Sequence, residues 1–218
     1  MQGSELMTMP GGAEGRRIFD SERATFFDTL AHTWDERVPP RYECSVRRVM
    51  KAARIDQDSV ILDVGTGTGR LIPYVLDCGP KQVIACDISA EMLRCVRRRF
   101  QHNAMVSTLL ADARDLPLGD RSIDVIICHE VYPHFAEKTA AVRELFRVAR
   151  PGGRFIISHF GGRDFVNRVH LGVSYPLIRK DILPPVNDVA AVLRIAGFTV
   201  EEALDEDDLY LIATVKPI

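Results

Sequence analysis

The chain has 218 residues, of which 46% are hydrophobic and 27% are charged, so it is long enough for one sizeable core and short for two. Its formal net charge of −2 excludes a global attraction to nucleic acid or to an anionic membrane. The five cysteines contain no CxxC pair and are typical of reduced residues that lie mostly in the core. No apolar run approaches the length of a spanning helix, and no signal-peptide core is present, which predicts a cytoplasmic protein.

The chain begins with two regions that differ in composition. Residues 1–16 are rich in glycine and are expected to form a flexible N-terminus. Residues 17–55 are predicted to form an N-terminal helical cap, with one helix in residues 20–34 and a second from Tyr42 to Ala53. The aromatic stripe of Phe26, Phe27 and Trp34 on the first helix is more typical of core packing than of a lid.

The most informative segment is VILDVGTGTGR at residues 60–70. It joins an apolar strand, a carboxylate at Asp63 and a turn whose glycines allow positive φ and close approach by a ligand. A dinucleotide GxGxxG motif would need its last glycine where Arg70 stands, and no GK[ST] ending marks a phosphate-binding loop. The segment therefore predicts a site for a small cofactor at the end of a strand.

Four further segments follow in order. VIACD ends in Asp87, whose carboxylate can accept both ribose hydroxyls, and TLLADA contains Asp112, which could accept the amino hydrogens of adenine. IDVIIC precedes HEVYPHF, and GGRFIISH follows a helix and Pro151. Alternation of strands and helices predicts an α/β fold with a mostly parallel sheet.

These five motifs, over about residues 56–160, together resemble the class I S-adenosylmethionine-dependent methyltransferases of the small-molecule type, related to the ubiquinone and menaquinone methyltransferases. The resemblance implies a Rossmann-like seven-stranded sheet with helices on both faces and an antiparallel last strand beside the fifth. It implies S-adenosylmethionine as the cofactor. The residues expected to bind it are Asp63, Gly65, Thr66, Gly67, Gly69, Asp87, Ile88, Met92, Asp112, Ala113 and His129.

The remaining sequence completes the predicted methyltransferase domain, residues 56–218. An insertion at residues 160–185 is expected to cover the substrate side, and its Arg163 and Arg179 could attract an anionic substrate or simply be exposed. A helix closed by Gly197 precedes two predicted strands, from Thr199 to Ala203 and from Leu209 to Val215.

Four histidines lie near the predicted strand ends: His129, His134, His159 and His170. Three interpretations stay open. In the first, the histidines line the pocket and His129 packs on the cofactor. In the second, one of them is a general base, with His134 and His159 as the best candidates and His129 behind them. In the third, two or three of them hold a divalent metal together with Glu130 or Asp181. Their spacing is no metal signature, so no metal is predicted.

The sequence thus predicts methyl transfer to an oxygen, nitrogen, sulfur or carbon nucleophile on a small molecule, without nucleic acid or a membrane as partner. One alternative is a protein that binds S-adenosylmethionine or S-adenosylhomocysteine without turnover. A weaker alternative is an NAD(P)-dependent oxidoreductase, which the position of the third glycine disfavours. The oligomeric state is not determined by the sequence, and a homodimer stays open.

Overall fold

A computed structural model describes residues 18–36 and 42–218. Residues 1–16, expected to be flexible, and residues 17 and 37–41 of the predicted cap lie outside the described ranges. The α-helices are α1 Ser21–Leu30, α2 Tyr42–Ala53, α3 Ile72–Leu76, α4 Ala90–Arg99, α5 Lys138–Val148, α6 Arg163–Gly172, α7 Pro176–Arg179 and α8 Val186–Ala196. The strands are β1 Val60–Val64, β2 Gln82–Asp87, β3 Val106–Leu110, β4 Ile123–His129, β5 Ala149–Phe160, β6 Thr199–Asp205 and β7 Leu209–Val215.

The strands form one seven-stranded sheet in the order β3-β2-β1-β4-β5-β7-β6. The pairs from β3 to β5 are parallel, whereas β7 is antiparallel to both β5 and β6. Helices pack on the sheet through two separate clusters of buried apolar side chains. The predicted Rossmann-like sheet, with its antiparallel last strand beside the fifth, is confirmed.

The burial of the central strands β1 and β4 explains why the sequence pattern predicted them. All seven residues of β4 are buried, and β1 is buried at every position after its first. A strand covered on both faces needs a nearly continuous apolar run, which is the pattern that both segments carry. Between β1 and β4 the strand order reverses, and the loops that follow these two strands diverge and leave a crevice at their carboxyl ends.

The N-terminal helix is shorter than the sequence pattern predicts. Helix α1 ends at Leu30, and a separate 3-10 helix covers Trp34–Glu36, so one helix through residues 20–34 was wrong. The break lets Asp35 receive a hydrogen bond from the Thr68 hydroxyl at 2.7 Å, and Arg70 donates to the carbonyl of Trp34 at 2.7 Å. These tertiary contacts replace the helical continuation that the apolar periodicity suggested.

No helix within residues 18–36 and 42–218 combines the length and apolar character that crossing a membrane would require.

Candidate functional site

A cavity lies in the crevice at the carboxyl ends of β1, β2 and β4, with helix α1 closing one side. Its empty space is about 720 Å³, counted together with open solvent at its mouth. Val64, Cys86 and Ala111 form part of its sheet-side wall, and Phe27 and Trp34 face them from the N-terminal segment. The cavity therefore lies where ligands of open α/β sheets bind.

The glycine turn after β1 forms the floor of this cavity. Gly65 has a φ of +69°, and a Cβ atom there would lie 2.3 Å from Cγ2 of Val131. Gly67 has a φ of +56°, and a Cβ atom there would lie 3.4 Å from the indole nitrogen of Trp34. The left-handed backbone favours glycine at both positions, and at Gly65 the contact with Val131 also leaves no room for a side chain.

Asp87, at the end of β2, aims its carboxylate at the turn. One oxygen accepts a hydrogen bond from the Gly67 amide and the other from the Ser89 amide, each at 2.8 Å. Burial raises the pKa of Asp87 to about 6, although these amide donors oppose the shift. A carboxylate that is short of water at a cavity wall is suited to receive ligand hydroxyls.

Asp63, in contrast, supports the turn from behind. Its side chain is 1% exposed and accepts a hydrogen bond from the Thr66 hydroxyl at 2.7 Å. Burial, with a contribution from the charge of Asp87, raises the pKa of Asp63 to about 7. Asp63 does not line the cavity, so its contacts hold the loop rather than reach a ligand.

Asp112 lines the cavity but is already heavily engaged. One oxygen accepts from the backbone amide and the Nε of Arg114, and the other accepts from Nη2 of Arg114 and the backbone amide of Asp20. Burial opposes ionisation, but these bonds and the positive charge of Arg114 hold the pKa of Asp112 below its usual range. An ionised carboxylate offers about four acceptor positions, so this arrangement occupies them with protein donors.

The predicted site residues thus separate into two groups. Eight line the cavity: Gly65, Gly67, Asp87, Ile88, Met92, Asp112, Ala113 and His134. Five do not: Asp63, Thr66, Gly69, His129 and His159. The roles assigned to all of them stay predictions; the geometry establishes only which side chains a ligand in this cavity could meet.

Among the histidines of the group, His134 is the one that lines the cavity. It ends the 3-10 helix Tyr132–His134, and its Nδ1 lies 2.8 Å from a carboxylate oxygen of Asp181. This pairing makes Nδ1 the protonated nitrogen when the ring is neutral and leaves Nε2 as an acceptor. Burial lowers the pKa of His134, although Asp181 acts in the opposite direction.

The other three histidines have different surroundings. His129 contacts the Ser158 hydroxyl at 2.9 Å through Nδ1, and its Nε2, like that of His159, is buried without a partner in the part of the chain that is described. Burial lowers the pKa of His159 well below its usual value. His170 donates from Nδ1 to the main-chain oxygen of Asp181, and its ring centroid lies 4.8 Å from that of His134.

The alternative in which the histidines hold a divalent metal lacks a suitable group of ligands in the described residues. Across residues 18–36 and 42–218, no three His, Cys, Asp or Glu side chains are arranged to hold one ion.

Sequence reasoning missed several residues that line the cavity. Phe27 and Trp34 lie on its wall rather than in the core, and Arg23 enters it from α1. Glu130 lines it with a φ of +61°, a strained conformation for a residue that is not glycine. The HEV motif placed Glu130 near a strand end, but no signal in the sequence indicated Arg23.

The charges of the lining suit a cationic ligand. Four carboxylates line the cavity, and two of them, Asp20 and Asp112, are compensated by ion pairs with Arg23 and Arg114. The other two, Asp87 and Glu130, form no ion pair with the described residues. S-Adenosylmethionine carries a sulfonium cation and a ribose with two hydroxyl donors. Carboxylates in a partly dry cavity favour both, and the glycine turn admits close approach to the backbone.

Comparison with known proteins finds similarity to methyltransferases. Residues 62–157 match the family described as "Methyltransferase domain". The chain is 34% identical over 139 residues to a demethylmenaquinone methyltransferase of Thermus thermophilus, covering 61% of this chain and 63% of that protein. It is 29% identical over 219 residues to the O-methyltransferase rstn1 of Aspergillus nomiae, covering 93% of this chain and 96% of that protein.

A solved structure of an S-adenosylmethionine-dependent methyltransferase from Aquifex aeolicus has the same fold, with a TM-score of 0.66 and 20% identity over 91% of this chain and 99% of that one. The region matched by the family model, residues 62–157, belongs to the class I S-adenosylmethionine-dependent methyltransferases. This methyltransferase family uses S-adenosylmethionine as its cofactor, as the five motifs implied. The family match also favours methyl transfer over the nicotinamide chemistry that the sequence left as a weaker alternative.

The chain spans 38–55% of the length of the first four curated relatives that it matches. The methyl acceptor and the activity of the whole protein are therefore matters of proposal.

Proposed function

We propose that this methyltransferase transfers a methyl group from S-adenosylmethionine to a hydroxyl of a neutral small molecule, with His134 as the general base. The observation that carries the proposal is the 2.8 Å contact between Nδ1 of His134 and Asp181, on a ring that lines the cavity beside the glycine turn. The cofactor supplies an activated methyl group on a sulfonium sulfur. The chain must position the acceptor, exclude water and accept a proton.

The cofactor side of the cavity is assigned to residues that already line it. The Asp87 carboxylate would accept the ribose hydroxyls, and Ile88 and Met92 would pack on the adenosyl part. Gly65 and Gly67 would allow the methionine end to lie against the turn. Asp63 and Thr66 would act indirectly, because their mutual hydrogen bond fixes the loop.

The proton-accepting role of His134 rests on its tautomer and its charge. Nδ1 keeps its proton and donates it in a hydrogen bond to Asp181, so that Nε2 carries the free lone pair. Burial holds the pKa of His134 below its usual value, which keeps the ring neutral near pH 7 and ready to accept a proton. An acceptor hydroxyl between Nε2 and the cofactor would lose its proton as the bond to carbon forms.

The lining of the cavity favours a neutral and largely apolar acceptor. Phe27, Trp34 and Phe135 supply aromatic surface. Arg23 already pairs with Asp20 and Asp181 at 2.6 Å each, so it has little capacity left for an anionic group. Arg163 and Arg179 do not line the cavity, which weakens the alternative of an anionic substrate. We therefore favour phenols and related hydroxylated aromatic compounds.

The test combines cofactor with a labelled methyl group and panels of neutral phenols, aliphatic alcohols, carboxylic acids and amines. We expect label to appear in phenols. The variant His134→Gln should lower kcat by about 100- to 10,000-fold, the range for loss of a general base. It should bind S-adenosylhomocysteine with an unchanged Kd in calorimetry. His102→Gln, on an exposed turn, is the matched control and should keep full activity.

Other outcomes would contradict the proposal in distinct ways. Tight cofactor binding with no label in any panel would favour the alternative of a non-catalytic binding protein. Methylation of carboxylic acids alone would contradict the neutral acceptor, and full activity of His134→Gln would contradict the base.

A cytoplasmic location is also part of this proposal. It is supported by cysteine chemistry, since all five cysteines are free thiols.

A further inference from the structure

Helix α1 contributes a guanidinium to the surroundings of the proposed base. Arg23 donates from Nη2 to one oxygen of Asp181 at 2.6 Å and from Nε to the other at 3.2 Å. The second of these oxygens is also the partner of His134 Nδ1 at 2.8 Å. One carboxylate therefore joins the guanidinium and the imidazole, and its side chain is only 4% exposed.

The backbone around Asp181 is fixed independently of α1. His170, on α6, donates to the main-chain oxygen of Asp181. Asn167, one turn earlier on α6, accepts from the Leu183 amide at 2.7 Å and donates to the Leu183 carbonyl at 3.0 Å. The carboxylate thus has its backbone held by α6 and its side chain held by α1.

We propose that Arg23 is a positioning residue for methyl transfer, which holds the Asp181 carboxylate in a bidentate grip and balances its charge. This inference rests on the proposed role of His134. It adds that the packing of α1 over the cavity, which brings Arg23 to Asp181, also sets the orientation and the pKa of His134. Arg23 acts through Asp181 and is not assigned a contact with the reacting atoms.

The physical argument concerns what Asp181 would do without Arg23. A buried carboxylate with His134 as its remaining charged partner would strongly favour the protonated imidazolium. With the guanidinium in place, the carboxylate is largely compensated and still orients the ring through Nδ1. Arg23 therefore lets Asp181 orient His134 without keeping it charged at neutral pH.

Several other groups surround His134. His170 faces it from α6, with the two ring centroids 4.8 Å apart, and two positive charges at that distance would repel each other. His159 in β5 interacts electrostatically with it from the sheet. Lys138, on α5, donates its ammonium hydrogens to the carbonyls of Pro133 and Phe135. Of these groups, Lys138 also feels the charge of Arg23, so the response of His134 is compared between Arg23→Met and Arg23→Lys, which keeps that charge.

The experiment uses the full chain with ¹³C-labelled histidine, in which the His134 signal is identified by its loss in His134→Gln. In Arg23→Met, the titration midpoint of His134 should move up by about one pH unit, the scale expected for an uncompensated neighbouring carboxylate. The acid limb of the kcat profile should move with it, while KM for the cofactor changes less than kcat. Arg23→Lys, which keeps the charge, should leave the midpoint near its wild-type value.

Glu22→Gln is the matched control, because it removes an exposed charge from the same turn of α1 and leaves the bond of Arg23 to Asp181 in place. Its His134 midpoint should equal that of the wild type. If Arg23→Met and Arg23→Lys lower kcat equally with no change in either midpoint, Arg23 only anchors α1 and the inference is wrong. If the midpoint moves as expected while His134→Gln retains turnover, the coupling holds and the proposed base is wrong.

Discussion

The two halves of the cavity are built in different ways. The half proposed to hold the cofactor, here the cofactor half, comes from a short stretch in which β1, the glycine turn and Asp87 follow one another, and Asp87 is held there by backbone amides. The half around the proposed base is the acceptor half. The acceptor half brings Arg23 to Asp181 across 158 positions of sequence and His134 to Asp181 across 47. The first half depends on local backbone conformation, whereas the second depends on how α1, α6 and the segment after α7 pack together.

The largest effect should come from the turn itself. Gly65→Ala places a methyl group 2.3 Å from Val131 in a backbone with positive φ, so strain and overpacking act together. We expect a loss of about 2 to 6 kcal/mol of unfolding free energy, with weakened binding of S-adenosylhomocysteine. Denaturant titration and calorimetry measure the two quantities.

Gly79→Ala is the control for that prediction. Gly79 has a similar φ of +72°, but a Cβ atom there would meet no atom within 4 Å, so only the backbone cost of about 1 to 3 kcal/mol applies. Equal losses in the two variants would show that the contact with Val131 does not constrain the turn.

The next effect concerns Asp87. Asp87→Asn removes the charge that would receive the ribose hydroxyls, and we expect binding of S-adenosylhomocysteine to weaken by about 1 to 3 kcal/mol. Activity at saturating cofactor should fall less than in His134→Gln, because the acceptor half is untouched. Asp77→Asn, on an exposed helix end, should bind as the wild type does. An unchanged Kd for Asp87→Asn would remove Asp87 from the ribose role.

The smallest effect is a pH dependence of stability due to Asp63. Its pKa is about 7 in the fold against 3.8 for the free side chain, so the folded state binds this proton more tightly. The resulting stabilisation is complete below the unfolded pKa and is lost as the pH rises toward 7 and beyond. Between about pH 6 and about pH 8, the wild type should therefore lose more unfolding free energy than Asp63→Asn, by about 1 kcal/mol.

Asp58→Asn, an exposed carboxylate nearby, should lose as much stability over that pH range as the wild type. Identical pH profiles for wild type and Asp63→Asn would contradict a neutral Asp63 behind the turn.

The contrast between the halves also explains what the sequence could predict. Strand periodicity and the DVGTGTG motif located the fold, the turn and Asp87, because buried parallel strands and left-handed glycines leave a local pattern. The four histidines in and after β4 and β5 were visible, but among them, in the described part of the chain, His134 alone lines the cavity, since the short 3-10 helix Tyr132–His134 directs its ring. Arg23 left no local signal, because its partner is a carboxylate that tertiary packing brings close.

The same limit applies to α1. Its apolar spacing suggested one helix through Trp34, but contacts of Asp35 with Thr68 and Arg70 end the regular helix earlier and turn the indole onto the glycine loop. Local periodicity does not contain these partners.

The position of Trp34 has a practical consequence. The chain contains one tryptophan, and its indole stands over Gly67 on the wall of the cavity. The tryptophan fluorescence of the protein therefore comes from a single reporter on the wall of the cavity. Changes in its emission on titration or rapid mixing can follow the arrival of a ligand in the cavity without any added dye.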